Sequence, residues 1–210
     1  MSKPIHNGAP TVFVVDDDPA VLRSLGRLVR SAGLNVETCT SPQDFLARHD
    51  PARPGCLVLD VAMPGLNGLE VQRALTAIGD ERPIVFLTGH GDIPTSVEAM
   101  KRGAVDFLTK PVNAEDLLNA IRSSIIKDSV RRRERDEVEE IKQRVATLTP
   151  REREVLTYIV SGRLNKQIAG ELGTAEKTIK VHRARVMEKM KVQSVAELVR
   201  LAERLGIRPA

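Results

Sequence analysis

The 210-residue chain has no tryptophan, one tyrosine and four phenylalanines. With so few flat side chains it lacks the platforms on which single-stranded nucleic acid stacks. Its two cysteines, Cys39 and Cys56, are too few for a disulfide framework, and no Cys/His group has zinc spacing. No apolar run approaches the roughly 18 residues that cross a bilayer. The first eight residues, Met1 to Gly8, carry no apolar segment of the kind a secretory signal needs. A P-loop kinase is excluded, because neither GxxxxGKS nor GxxxxGKT occurs. These absences predict a cytoplasmic protein with no membrane partner.

What is present is ordinary for a globular chain: 41% apolar and 29% charged residues, with a length that fits one or two domains. The net charge of +4 conceals an asymmetry. Residues 1–126 hold 12 Lys/Arg against 15 Asp/Glu, whereas residues 127–210 hold 20 against 13. A basic second half suits nucleic acid, and an acidic first half argues against it there.

Residues 1–126 alternate short apolar runs with helix-period segments. The runs are Thr11–Val15, Asn35–Cys39, Cys56–Leu59, Ile84–Leu87 and Asp106–Leu108. VFVV and CLVL are apolar without alternation, as expected of strands covered on both faces. Between and after the runs lie Ala20–Ser31, Pro42–Arg48, Leu69–Ala77, Pro94–Arg102 and Ala114–Ile126. The pattern predicts a (βα)5 domain with a doubly wound parallel sheet. Residues 127–148 change character: from Lys127 to Arg144, 13 of 18 residues are charged, with no Gly or Pro. A solvated helical linker is expected. Val138, Ile141, Val145 and Leu148 have 3-4-3 spacing, which fits either a short coiled-coil seam or packing on a neighbouring domain. Residues 149–210 predict four short helices. Thr149-Pro150-Arg151-Glu152 and Ser194-Val195-Ala196-Glu197 are capping boxes, and Gly173 separates the second helix from the third. This is the outline of an all-α helix-turn-helix domain.

In a parallel sheet of this type the strand C-termini share one edge, where ligands bind. Asp16, Asp17 and Asp18 follow the first run, Asp60 the third, Thr88 the fourth and Lys110 the fifth. Singly, each has a plain explanation: a helix N-terminal charge, a turn hydroxyl, a surface lysine. Their conjunction at four strand ends points instead to one site. Crowded carboxylates repel and call for a cation, and hard oxygen ligands suit Mg²⁺. Lys110 and Thr88 could then meet the oxygens of a phosphoryl group.

The segments VVDDD (Val14–Asp18), LDVAMPGLNG (Leu59–Gly68), FLTGHGD (Phe86–Asp92) and DFLTKP (Asp106–Pro111) resemble a response-regulator receiver domain. The resemblance implies a flavodoxin-like strand order of 2-1-3-4-5 and phosphorylation of Asp60 by a sensor histidine kinase. It implies Mg²⁺ ligation by Asp17, Asp60 and the Ala62 carbonyl, with Asp16 acting through water. Thr88 and Lys110 would meet the phosphoryl group, and Phe107 would turn inward as Thr88 moves. Ala62 and His90, two residues past Asp60 and Thr88, would modulate the lifetime of the acyl phosphate. The other enzyme class built on this sheet type, an aspartyl-phosphate hydrolase, needs an acid/base aspartate where Ala62 stands and a cap domain that the chain lacks. The protein is therefore not expected to be an enzyme.

The stretch from Thr149 to Met190 is similar to the LuxR-type output domain of FixJ-like response regulators. On Glu176–Met190, Ile179, Val186 and Met190 form an apolar stripe. The other face offers Lys177, Lys180, Val181 and Ala184 as base-edge contacts in a major groove. Thr178, His182, Arg185, Asn165 and Lys166 are expected at phosphates, although a packing role for His182 and a solvated face for each lysine stay open. The family's serine cap before the recognition helix is replaced by Thr174-Ala175, so Thr174 is expected to cap one residue early. Together the resemblances imply a phosphorylation-activated transcription regulator. Its expected partners are promoter DNA, RNA polymerase and, when phosphorylated, a second copy of itself.

Overall fold

The structure, a computed structural model, describes residues 8–89 and 93–207. It divides into two units between residues 131 and 132.

In the first unit β1 (Thr11–Val15), β2 (Asn35–Cys39), β3 (Gly55–Asp60), β4 (Ile84–Thr88) and β5 (Asp106–Thr109) form one parallel sheet. Its order is β2-β1-β3-β4-β5, as expected. The three inner strands are buried along their whole length, and the edge strands β2 and β5 are not. This explains why VFVV and CLVL are apolar throughout while Asn35–Cys39 is mixed. Helices α1 (Pro19–Ser31), α2 (Pro42–Arg48), α3 (Gly68–Ala77), α4 (Ile93–Lys101) and α5 (Ala114–Ala146) cover the sheet. Side chains of alternating parity separate two cores. Val12, Val14, Val58, Val85 and Leu87 meet Leu22 and Val29 of α1 and Leu117 and Ile121 of α5. Phe13, Val15, Leu57, Leu59 and Phe86 meet Phe45 of α2, Val71 and Leu75 of α3 and Ala99 of α4. Side-chain caps start three of the helices: Asp18 accepts from the Ala20 N–H, Ser41 from Asp44, and Asn67 forms a capping box with Glu70.

The fifth helix does not stop near Ile126. It runs unbroken for 33 residues, because nothing between Lys127 and Arg144 breaks it. None of the described helices is long and apolar enough to cross a membrane.

The second unit contains α6 (Pro150–Val160), α7 (Asn165–Glu171), α8 (Glu176–Lys189) and α9 (Val195–Arg204). Its core joins Val155, Leu156, Ile159, Ile168, Ile179, Val186, Met190 and Leu198. Ile141 and Leu148 are buried in this same core, and Val145 packs against it. Three of the four residues at 3-4-3 spacing therefore serve the core of the unit they belong to, and the coiled-coil alternative falls. The Glu152 carboxylate, almost wholly buried, meets the Lys189 ammonium at 2.6 Å and accepts from the Thr149 N–H. Its pKa is lowered, chiefly by Lys189. Correction is needed at α8: its cap residue is Ala175, with no side-chain bond, and Thr174 does not cap. The Thr174 N–H instead reaches back to the Ala169 carbonyl and closes the turn.

If the seam serves this core, Ile141→Ala should destabilise the second unit by about 2–5 kcal/mol. Val138→Ala, at a half-buried position, should cost less than about 1 kcal/mol. Denaturant unfolding of the full chain distinguishes this from a dimeric seam, in which both losses would be similar and would depend on concentration.

Candidate functional site

The C-terminal ends of β1, β3, β4 and β5 bring Asp16, Asp60, Thr88 and Lys110 to one edge. Parallel pairing fixes their level: Val15 is opposite Leu59, Asp60 opposite Leu87, and Thr88 opposite Thr109. The Lys110 N–H donates to the Thr88 carbonyl at 2.7 Å, which fastens the end of β5 to β4. Asp16, Asp60 and Thr88 are buried, while Asp17 is exposed. The Lys110 ammonium lies 2.6 Å from Asp16 Oδ2 and 3.1 Å from Asp60 Oδ1. Asp16 Oδ1 also accepts from the Asp18 N–H, whereas Asp18 spends its own carboxylate on capping α1. Oxygens of Asp16, Asp17 and Asp60 lie within 4.8 Å of one another.

The third strand could not end here without Gly68. A Cβ at that position would meet the Asp60 carbonyl oxygen at 2.5 Å, so glycine lets α3 begin directly beside the carboxylate. Sequence reading gave this residue no role, although its place eight residues past Asp60 was a cue.

Electrostatics agree with the geometry. Burial raises the Asp60 pKa, Lys110 opposes that rise, and the charges of Asp16 and Asp17 add to it. Burial works against the Lys110 ammonium, but the two carboxylates outweigh it and hold the lysine charged. Asp60 Oδ1 is buried, and the Lys110 ammonium that faces it at 3.1 Å is shared with Asp16. A buried carboxylate oxygen of this kind is costly unless a cation meets it. Hard donors in a cluster of three carboxylates fit a small divalent ion such as Mg²⁺.

Ala62 is exposed, two residues past Asp60 in the turn to α3. Phe107 is half-buried, its ring 6.1 Å from that of Phe86. His90 lies outside the described residues.

In the second unit Lys166, Lys177, Thr178, Lys180, Val181, Ala184 and Arg185 are exposed, and Asn165 and His182 are half-buried. Val181 is exposed, as contact with a base requires. Lys180 pairs with Glu176 one turn away at 3.6 Å. Asn165 Oδ1 accepts from Arg183 Nη1 at 3.2 Å, a link between α7 and α8 that sequence reading missed. Buried His182 Nδ1 has no hydrogen bond, in keeping with the packing alternative.

Residues 12–122 match the response regulator receiver domain, and residues 146–202 match the bacterial regulatory proteins of the luxR family. The chain belongs to the response regulators with a LuxR-type DNA-binding domain. It is 48% identical over 94% of its length to response regulator protein TodT of Pseudomonas putida, covering 87% of that protein. It is 46% identical to transcriptional regulatory protein FixJ of Azorhizobium caulinodans, over 95% of this chain and 94% of that one. Among solved structures, response regulator StyR is 50% identical, with a TM-score of 0.86, 94% of this chain and all of StyR being covered. Full-length FixJ from B. japonicum is 43% identical with a TM-score of 0.56, over 94% of this chain and 98% of that one. Such proteins are phosphorylation-activated regulators of two-component systems. The receiver implies a histidine kinase partner, and the output domain implies DNA.

A buried carboxylate whose pKa is raised costs stability when it is ionised. That cost is present above its folded pKa and vanishes below its unfolded one. Asp60→Asn should therefore raise the melting temperature of chelator-treated protein at pH 7, and the gain should disappear as the pH falls below the ordinary aspartate range. A thermal melt at pH 7 in which the variant is less stable would show that Lys110 outweighs burial.

Proposed function

We propose that the Asp60 carboxylate is the phosphoacceptor, and that phosphorylation there controls promoter binding by the second unit. The observation that carries this is Lys110, drawn from the far side of the sheet between two buried carboxylates. A carboxylate oxygen of Asp60 attacks the phosphorus of a kinase phosphohistidine. The new P–O bond forms as the P–N bond breaks, and the released imidazole takes up a proton. Lys110 offsets charge on the phosphoryl oxygens, and the Thr88 hydroxyl bonds one of them. Asp16, Asp17, Asp60 and the Ala62 carbonyl would hold Mg²⁺, with Asp16 acting mainly through water. When bound, that ion supplies positive charge against the incoming phosphoryl group. Phe107, already beside Phe86, follows Thr88 inward. The protein is then the substrate of its kinase rather than an enzyme.

Residues 1–126 act as receiver, 127–148 as linker and 149–210 as output domain of a cytoplasmic regulator. Phosphorylation promotes a homodimer through α4, β5 and α5, since one helix-turn-helix reads one half-site and useful affinity needs two. At the promoter the dimer meets RNA polymerase. Lys177, Lys180, Val181 and Ala184 read base edges; Thr178, His182, Arg185, Lys166 and Asn165 meet phosphates. For Asn165 the bond to Arg183 makes that contact a shared one.

Acetyl phosphate should add one phosphoryl group to the wild type and none to Asp60→Asn, read by intact mass. Asp17→Ala should weaken the Mg²⁺ dependence more than Asp18→Ala, because Asp18 caps α1. Full modification of Asp60→Asn would sink the assignment.

On DNA, Lys180→Ala should cost about 1–3 kcal/mol on the preferred sequence and little on others. Lys166→Ala should weaken every sequence alike and flatten the salt dependence by about one counterion. Footprinting and titration at several salt concentrations compare the two. Equal losses on all sequences would make Lys180 a phosphate contact.

A further inference from the structure

The sheet has a second edge. Gly55 opens β3 where Asp60 closes it, so the two lie about 17 Å apart at strand spacing. At this opposite edge the receiver buries a polar cluster that phosphorylation chemistry does not use. His49 Nε2 lies 2.7 Å from Asp80 Oδ2, and both side chains are almost wholly buried. Asp80 Oδ1 accepts from the Arg82 N–H, and Arg82 Nη2 donates to the Asp50 carbonyl at 2.9 Å. The Arg82 guanidinium also covers the Phe13 ring at 4.6 Å. These contacts hold the loops that precede β3 and β4 to each other. A loop fixed by buried polar groups is expensive to move.

Two backbone groups of those loops point at α5. The Gly55 N–H donates to Asp128 Oδ2 at 2.8 Å, and the Glu81 carbonyl accepts from Arg131 Nη1 at 2.7 Å. Asp128 is buried although it belongs to the charged stretch. Gly55 has φ +139°, and a Cβ there would meet the Thr11 carbonyl oxygen at 1.8 Å. Glycine is thus what allows β3 to begin in reach of Asp128. Higher on the same helix, Leu117 and Ile121 pack on Val85 and Leu87 of β4, the strand that ends in Thr88.

We propose that the Gly55–Glu81 edge of the receiver is a fulcrum for α5, and that Asp128 and Arg131 are positioning residues that make DNA binding depend on phosphorylation. The inference rests on the phosphorylation reading above. A shift at β4 moves the upper part of α5, and the lower anchors turn that shift into a tilt. Leu117 lies about 17 Å above Asp128 at helical rise, so a shift at Leu117 turns the helix about these anchors. Without the anchors the helix slides on its apolar face and the tilt is lost.

The test uses the full chain as wild type, Asp128→Ala, Asp128→Asn and Arg131→Ala. The probe is a duplex selected from a randomised pool with beryllofluoride-treated wild type. Three quantities are read: acetyl phosphate modification, DNA affinity without beryllofluoride, and the affinity gain on adding it. Asp128→Ala and Arg131→Ala should keep the first two and lose about fivefold or more of the gain. Asp128→Asn, which retains an acceptor oxygen, should keep most of it. Hydrogen exchange in residues 127–135 should quicken in the two alanine variants only. A wild-type gain that survives in both alanine variants overturns the fulcrum. If Asp128→Ala also loses modification, half-buried Arg131→Ala decides alone. A wild type with no gain would instead sink the phosphorylation reading, and the fulcrum with it.

Discussion

Two buried aspartates on adjacent strands repel each other, and Lys110 is what makes their closeness tolerable. Its ammonium reaches Asp16 at 2.6 Å and Asp60 at 3.1 Å. Everything at that edge follows from this compensation. β5 must end level with β4, which the bond from the Lys110 N–H to the Thr88 carbonyl secures. The inner strands must bring the acids together, which requires both faces of the sheet to be covered. The compensation is also incomplete, since one ammonium faces a cluster of three carboxylates, Asp16, Asp17 and Asp60. That shortfall in positive charge is what a divalent cation would relieve.

The second unit is built around a different buried charge. Glu152 joins the start of α6 to the end of α8 through Lys189, and Lys189 Nζ also reaches the Thr147 carbonyl. Arg144 Nη1 donates to the Met190 carbonyl. The last turns of α5 are thereby tied to the C-terminus of α8. Its N-terminal half is left exposed, where lysines and small side chains suit a groove.

A single helix takes part in both cores. Its first turns are apolar on one face, its middle turns are nearly all charged, and its last turns are apolar again. Charge without Gly or Pro keeps the middle helical while it makes no core of its own.

The elements and the acidic edge were legible because they depend on local pattern. Apolar runs, caps at Thr149 and Ser194, and carboxylates after successive strands are all properties of neighbouring residues. The four strand-end residues could be assigned to one edge because parallel topology admits few arrangements. What the sequence could not supply were pairings between distant residues. Asp128 read as one more charge in a solvated run, yet it is buried against the amide of Gly55, 73 residues away. Asn165 read as a phosphate contact, yet its side chain is also held by Arg183. The 3-4-3 spacing of Val138, Ile141, Val145 and Leu148 fitted two kinds of packing equally, because periodicity fixes which face is apolar but not what covers it. Local chemistry determined the elements and the charges; only the tertiary structure decided which charge met which, because a buried partner is chosen by the whole packing around it.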